Sequence, residues 1–446
     1  MTGRPASFFS PLPYFVAFVA APLAILAGRL AGKEALAHSF GLSGLAPWLA
    51  LSGLAVLASL YAGVTTRAKA GRSLWPAPVL GLVLAVAAWL LARGLALVLL
   101  QAEDYAPLLD EMRLPALVLF AALWAWSFGA PRRESLARAG AALGALVVLD
   151  FLLTAIMARG LVPGGGVLFG DAPSTADALG FLLCTALCAT VDDLPTPGVP
   201  RLARWLILAG LLASGSRVGL AAGALLCLFF ERGRLGNRAA MAAACILAIW
   251  VSLILPLQHT LGGEELGLDW YYSATMEALD QDPRALAVGL PLDTPLALAM
   301  PDFQGLLGDA ESDGLPVSVF QIPSSTLRLL AGWGVGGPLL VFGAALFCAL
   351  RGRRRFGFGL LLTAALCATL APVLHIPATA AALALAMLSA ARRPDAAQQS
   401  TQPEMERPKA AQTGNAPEQV QETAPQDPAQ TQATEAQEAR SAQAQA

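Results

Sequence analysis

The chain has 446 residues, of which 56% are hydrophobic and 13% charged, with a formal net charge of −2 at pH 7. An ordinary soluble domain carries about 25% charged residues, and nucleic-acid binding needs a basic face or stripe. The composition therefore excludes a nucleic-acid partner and argues for an all-α, polytopic integral membrane protein.

A transmembrane helix needs about 20 consecutive, mostly apolar residues. Twelve segments are candidates: 12–28, 42–64, 77–100, 114–130, 137–157, 175–191, 200–213, 216–230, 239–257, 325–350, 356–371 and 376–391. The first run is read as a retained helix and not as a cleaved signal peptide. Helices 1–9 thus occupy residues 1–257, with no soluble domain before residue 258. A single long loop covers 258–324, and helices 10–12 fill 325–391. Residues 394–446 are rich in Gln, Ala, Glu and Pro, lack the apolar content to fold, and read as a disordered tail. The six cysteines all fall within apolar runs without a C-x-x-C pair, and are expected to pack as small core residues.

An even number of spans puts both termini on one side. Lys and Arg decide which side, because short cytoplasmic loops carry an excess of them. On this topology eighteen fall on the terminal face, including Arg67, Lys69, Arg72, Arg132, Arg133, Arg351 and Arg353–Arg355. Six fall on the other: Arg29, Lys33, Arg113, Arg159, Arg217 and Arg284. Both termini are expected in the cytoplasm. The 258–324 loop then lies outside, with eleven acids and one base, Arg284. His38, His259 and His375 share that outer side.

The stretch "LLASGSRVGL" (211–220) places Arg217 within an apolar region. The seventh segment has about 14 residues before Ser214, or ~21 Å of helix, short of the ~30 Å hydrocarbon core. The Ser214-Gly215-Ser216 turn should then lie below the outer surface, where irregular backbone is tolerated only against protein or water. Ser214 or Ser216 can cap the eighth helix, whose N-terminal N–H groups and Arg217 together would favour an anion. Gly215, Gly219 and Gly223 are expected to form a close-packing face. Arg93 and Asp150 also lie deep in apolar segments and could pair. Arg328 and Arg159 extend a ring of outward cations.

Four stretches in order resemble the O-antigen ligase and polymerase family of bacterial membrane glycosyltransferases. They are "GGGVLFGDAPSTADALG" (164–180), "LLASGSRVGL", "MEALDQDPRALAVGLP" (276–291) and "LRLLAGWGVGGPLL" (327–340). The resemblance implies a GT-C-like fold and transfer of a glycan from a polyprenyl-pyrophosphate carrier. The acceptor would be a hydroxyl of a lipid or glycan at the outer face of the inner membrane, with no metal or other cofactor. It carries Arg217 over as a substrate-binding residue. Two departures stand out. The family's His-Asn pair before the last of these helices falls on Pro323 and Ser324, and an arginine of the large loop falls near Tyr272. Arg284 and Arg328 are substitutes for binding, with Ser214, Ser216 and Arg93 beside Arg217. His375, in "PVLHIPA", and His259, at the start of the loop, are the candidate catalytic bases.

Two other classes fit the same pattern: a transporter or flippase of a lipid-linked substrate, and a catalytically silent scaffold for envelope assembly. A nucleotide-binding loop does not, although "GWGVGG" (332–337) matches G-x-G-x-x-G, because it continues an apolar helix with no preceding strand. "GVTTRAKAGR" (63–72) has a faint likeness to the cytoplasmic loop of twelve-helix transporters, without the acidic residue in register. The three scattered histidines have no metal-ligand spacing.

Overall fold

The computed structural model describes residues 9–65, 77–100, 111–158, 173–191, 201–231, 235–254, 268–290, 322–352 and 354–391. All the regular structure among them is helical. The 394–446 tail, His259 and most of the acidic loop lie outside the described residues.

Helix α1 (Leu12–Leu30) contains a π-helical stretch at Val16–Ala20, and α2 is short (Glu34–Phe40). There follow α3 (Ala46–Thr65), α4 (Ala77–Leu100), α5 (Arg113–Phe128) and α6 (Arg133–Ala158). Next come α7 (Pro173–Thr190), α8 (Arg201–Ala213), α9 (Arg217–Phe229) and α10 (Leu235–Ile254). From the loop come α11 (Leu268–Gln281) and the short α12 (Ala285–Val288). The C-terminal part holds α13 (Ser325–Trp333), α14 (Gly336–Arg351) and α15 (Arg354–Leu370), then a 3₁₀ turn at Val373–His375 and α16 (Pro377–Ala391). By length and composition α1 and residues Arg133–Ile156 of α6 can cross a membrane, and the other apolar helices are shorter.

Helix α7 forms the centre of the bundle, and every residue from Ala178 to Ala189 is buried. It packs against α6, α8, α9, α15 and α16. Close approach to α9 depends on paired glycines, since a Cβ on Gly219 would sit 2.9 Å from Gly180 Cα. A second glycine contact joins α6 to α8, where a Cβ on Gly210 would fall 2.5 Å from Gly144 Cα. Trp124, Phe181, Phe18 and Phe356 fill the space between the remaining helices.

Three sequence expectations need correction. The tenth segment is two helices, because Gly334 adopts φ +64° and ends α13 before α14 begins. "GWGVGG" therefore spans a helix break and does not continue one helix. The break accommodates the loop: Val335 N–H donates to Leu286 O at 2.8 Å, and Leu290 N–H to Ala331 O at 2.6 Å. The described part of the loop is thus folded, with Ala274, Leu279, Ala285, Leu290 and Ile322 in a small core against Leu327 and Ala331. The third correction is Gly215, which has φ +69° in the turn before α9 and lies off the helix face that carries Gly219 and Gly223.

Candidate functional site

The turn before α9 is built from serine hydroxyls. Ser214 Oγ donates to Leu211 O at 2.8 Å, closing the end of α8. Ser216 is the N-cap, its Oγ accepting the Gly219 N–H at 2.9 Å. An oxygen at this position satisfies one of the four N–H groups that begin a helix without a partner. The same hydroxyl donates to Asp177 Oδ1 of α7 at 2.7 Å. Both serines are buried, whereas Arg217, the first residue of α9, is exposed. The expected cap is therefore present, with a carboxylate drawn against the start of α9. Arg217 does not line the apolar cleft that the structure forms between α5, α14 and α16.

A second cluster joins three segments of the chain. Glu111, just before α5, is fully buried, and its Oε1 receives the Arg328 Nε–H of α13 in an ion pair. Its Oε2 lies 3.3 Å from His375 Nε2. The other ring nitrogen, Nδ1, is 3.3 Å from Ser325 Oγ, which also accepts the Leu374 N–H at 2.9 Å. A serine has a single hydroxyl hydrogen, and with Leu374 donating to Ser325 Oγ that hydrogen is available to Nδ1. In that arrangement Nε2 is the ring nitrogen that faces Glu111 with a proton, in the neutral ring and in the imidazolium alike.

Local structure explains why these groups meet. Ser324 caps α13, accepting the Leu327 N–H at 3.2 Å, while its Oγ donates to Ala368 O of α15 at 3.3 Å. Ser325 N–H donates to Ala371 O at 3.2 Å. The start of α13 is thereby tied to the end of α15 and to the 3₁₀ turn. Ala378 N–H donates to Leu42 O, and Thr379 Oγ1 to Ile376 O at 2.8 Å, so the turn holding His375 is braced from both sides. Burial raises the Glu111 carboxyl, but His375 and Arg328 outweigh that and hold it below its ordinary value. Its place before the N-terminus of α5 favours the same charge.

The structure therefore brings His375 and Arg328 together with Glu111 and Ser325, which sequence reasoning passed over. Glu111 had a signal: "DEMRL" (110–114) puts an acid at the outer edge of the fourth segment, on the side assigned to His375 and Arg328. Asp177 was also passed over, inside the stretch 164–180 that carries part of the resemblance. Arg284 is exposed where α12 begins, its backbone N–H donating to Asp282 Oδ1 at 3.0 Å. Asp150 is buried in α6, while the Arg93 side chain, Arg159 and His259 lie outside the described residues. Helix α7 packs against both α9 and the 3₁₀ turn that carries His375. Compared with protein-family models and with curated proteins, the chain matches none.

Proposed function

We propose that this chain is a polytopic bacterial inner-membrane protein of about twelve spans, with both termini in the cytoplasm. In this reading it transfers a glycan from a polyprenyl-pyrophosphate carrier to a lipid or glycan hydroxyl at the outer face. The membrane assignment is supported by large apolar side chains that point away from the bundle, among them Leu57, Trp89, Ile156, Trp205, Leu247 and Trp250, each more than half exposed. Soluble monomers rarely expose extended apolar surface.

The observation that carries the transferase reading is the imidazole of His375, set between a carboxylate and a hydroxyl. A carboxylate on one ring nitrogen orients the ring and stabilises the imidazolium that forms when the other takes a proton. In the proposed step the acceptor oxygen bonds to the anomeric carbon while the bond from that carbon to the pyrophosphate oxygen breaks. The electron pair leaves with the carrier pyrophosphate, and the acceptor proton passes to His375. Negative charge developing on the leaving group is met by Arg217 and the N-terminus of α9, a pairing that suits phosphate.

One observation favours the transport reading. His375 is 7% exposed and Ser325 fully buried, so an acceptor must displace Ser325 to reach the imidazole. A transporter would need no such displacement. The deciding experiment supplies purified chain with a lipid-linked glycan and an acceptor lipid. Transfer that is lost in His375→Ala and Arg217→Ala supports the transferase. Movement of the lipid-linked glycan across proteoliposomes without any transferred product would overturn it.

A further inference from the structure

The apolar cleft between α5, α14 and α16 is partly open, has a volume of about 170 Å³ and is also lined by Leu84 of α4. Ten of its twenty-two lining residues are alanine, which explains why a void exists where helix faces usually interdigitate. The alanines recur at helical spacing, as Ala121 and Ala125 on α5 and Ala380 and Ala384 on α16. These alanines line the same cleft from two helices. On α14 the lining runs from Leu340 to Arg351, a rise of ~16 Å, enough for much of an acyl chain.

The two ends differ in charge. One end is formed by Leu114 and Leu374, next to the buried group of Glu111, Arg328 and His375, in which the carboxylate already pairs with the guanidinium. The other end is formed by Arg351 and Ala391, and Arg351 is exposed there. It is the one charged residue in the described lining. The α14–α15 turn sits directly on the end of α16, since a Cβ on Gly352 would lie 1.8 Å from Ala390 O. The chain leaves α16 into Arg392 and Arg393.

We infer that this cleft holds one acyl chain of an anionic phospholipid, with the lipid's phosphate on Arg351. The inference rests on the membrane reading above, which puts Arg351 at the cytoplasmic leaflet. The charge decides the occupant. Of the two ends, Arg351 gives the cytoplasmic one the charged residue of the described lining. A zwitterionic lipid presents the same phosphate there, but its own ammonium offsets the attraction, so the anionic lipid is favoured. An apolar void of this size does not hold water favourably, so an alkyl chain is its natural filling.

The test reconstitutes the full chain in phosphatidylcholine nanodiscs containing chain-labelled, spin-labelled phosphatidylglycerol or phosphatidylcholine. The motionally restricted fraction is then measured. Phosphatidylglycerol should be retained about five-fold over phosphatidylcholine, the size expected of one basic group near an anionic surface. Arg351→Gln should remove that preference, while Arg355→Gln, an exposed cation nearby that does not line the cleft, should keep it. Ala384→Phe should fill the cleft and release the restricted label. Equal retention of the two lipids by the wild type, or an equal loss in Arg355→Gln, would overturn the inference alone. A chain that fails to incorporate into nanodiscs would overturn the membrane reading, and this inference with it.

Discussion

Glu111 Oε2 lies 3.3 Å from His375 Nε2, although one residue precedes α5 and the other ends the turn before α16. Arg328 of α13 holds the other oxygen of the same carboxylate. A carboxylate, a guanidinium and an imidazole from three segments thus share one buried site, which ties the C-terminal helices to the first half of the chain.

Removing the carboxylate should therefore destabilise the protein strongly. Glu111→Gln removes the carboxylate that pairs with the buried Arg328, and breaking a buried pair from one side costs about 3–5 kcal/mol. The double variant Glu111→Leu with Arg328→Met removes both charges and should recover most of that loss. Thermal unfolding of the purified variants in detergent measures both. Equal stability of the wild type and Glu111→Gln would show that the pair carries no such energy.

Stability should depend on pH through the same carboxyl. Glu111 is held below its ordinary value of 4.5, so the stability it contributes is present above the unfolded pKa. That contribution is lost as pH falls through the lower folded pKa. The wild-type melting temperature should hold as pH falls to the ordinary carboxyl value and then drop further than that of Glu111→Gln. Parallel curves for the two proteins would contradict the assignment.

The serine cap yields a separate outcome. Ser216→Ala loses both the bond to the Gly219 N–H and the donation to Asp177. It should lower stability by about 1–2 kcal/mol, as loss of an N-cap does. Gly180→Ala should cost a further 1–3 kcal/mol by overpacking, since its Cβ would lie 2.6 Å from Ser216 Cβ. Because these two sites touch, the double variant should be non-additive. Chemical denaturation of the four proteins tests this.

Arg217 is exposed at the start of α9, so Arg217→Ala should leave the melting temperature nearly unchanged. Under the proposed function it should reduce glycan transfer by about 10²-fold or more, the scale of removing one group that stabilises developing negative charge. Arg217→Lys should fall between, because it keeps the charge and loses the fork. Wild-type transfer by a well-expressed Arg217→Ala would refute the site.

The proposed topology is tested by labelling single cysteines in a background without the native ones. Cysteines at Glu265 and Asp309 should react with an impermeant reagent from outside intact cells. One at Arg67 should react only after the inner membrane is permeabilised. The reverse pattern would overturn the topology and the placing of Arg217 and His375 at the outer face.

Much of the helical layout is legible in the sequence because apolar run length and capping chemistry are local properties. Helix α9 starts at Arg217 since Ser216 supplies the oxygen its first turn needs, and both residues stand next to each other in the chain. Arg217, His375 and Arg328 could each be picked out as costly polar groups beside apolar runs. The break at Gly334 was hidden because a glycine in an apolar run fits a helix or a turn equally well. Contact with Leu286, from the preceding loop, goes with the turn here. The Glu111, Arg328 and His375 cluster depends on which helices become neighbours, and periodicity describes one helix face at a time. Only tertiary packing brought that carboxylate to the imidazole, where burial makes the pairing of charges obligatory.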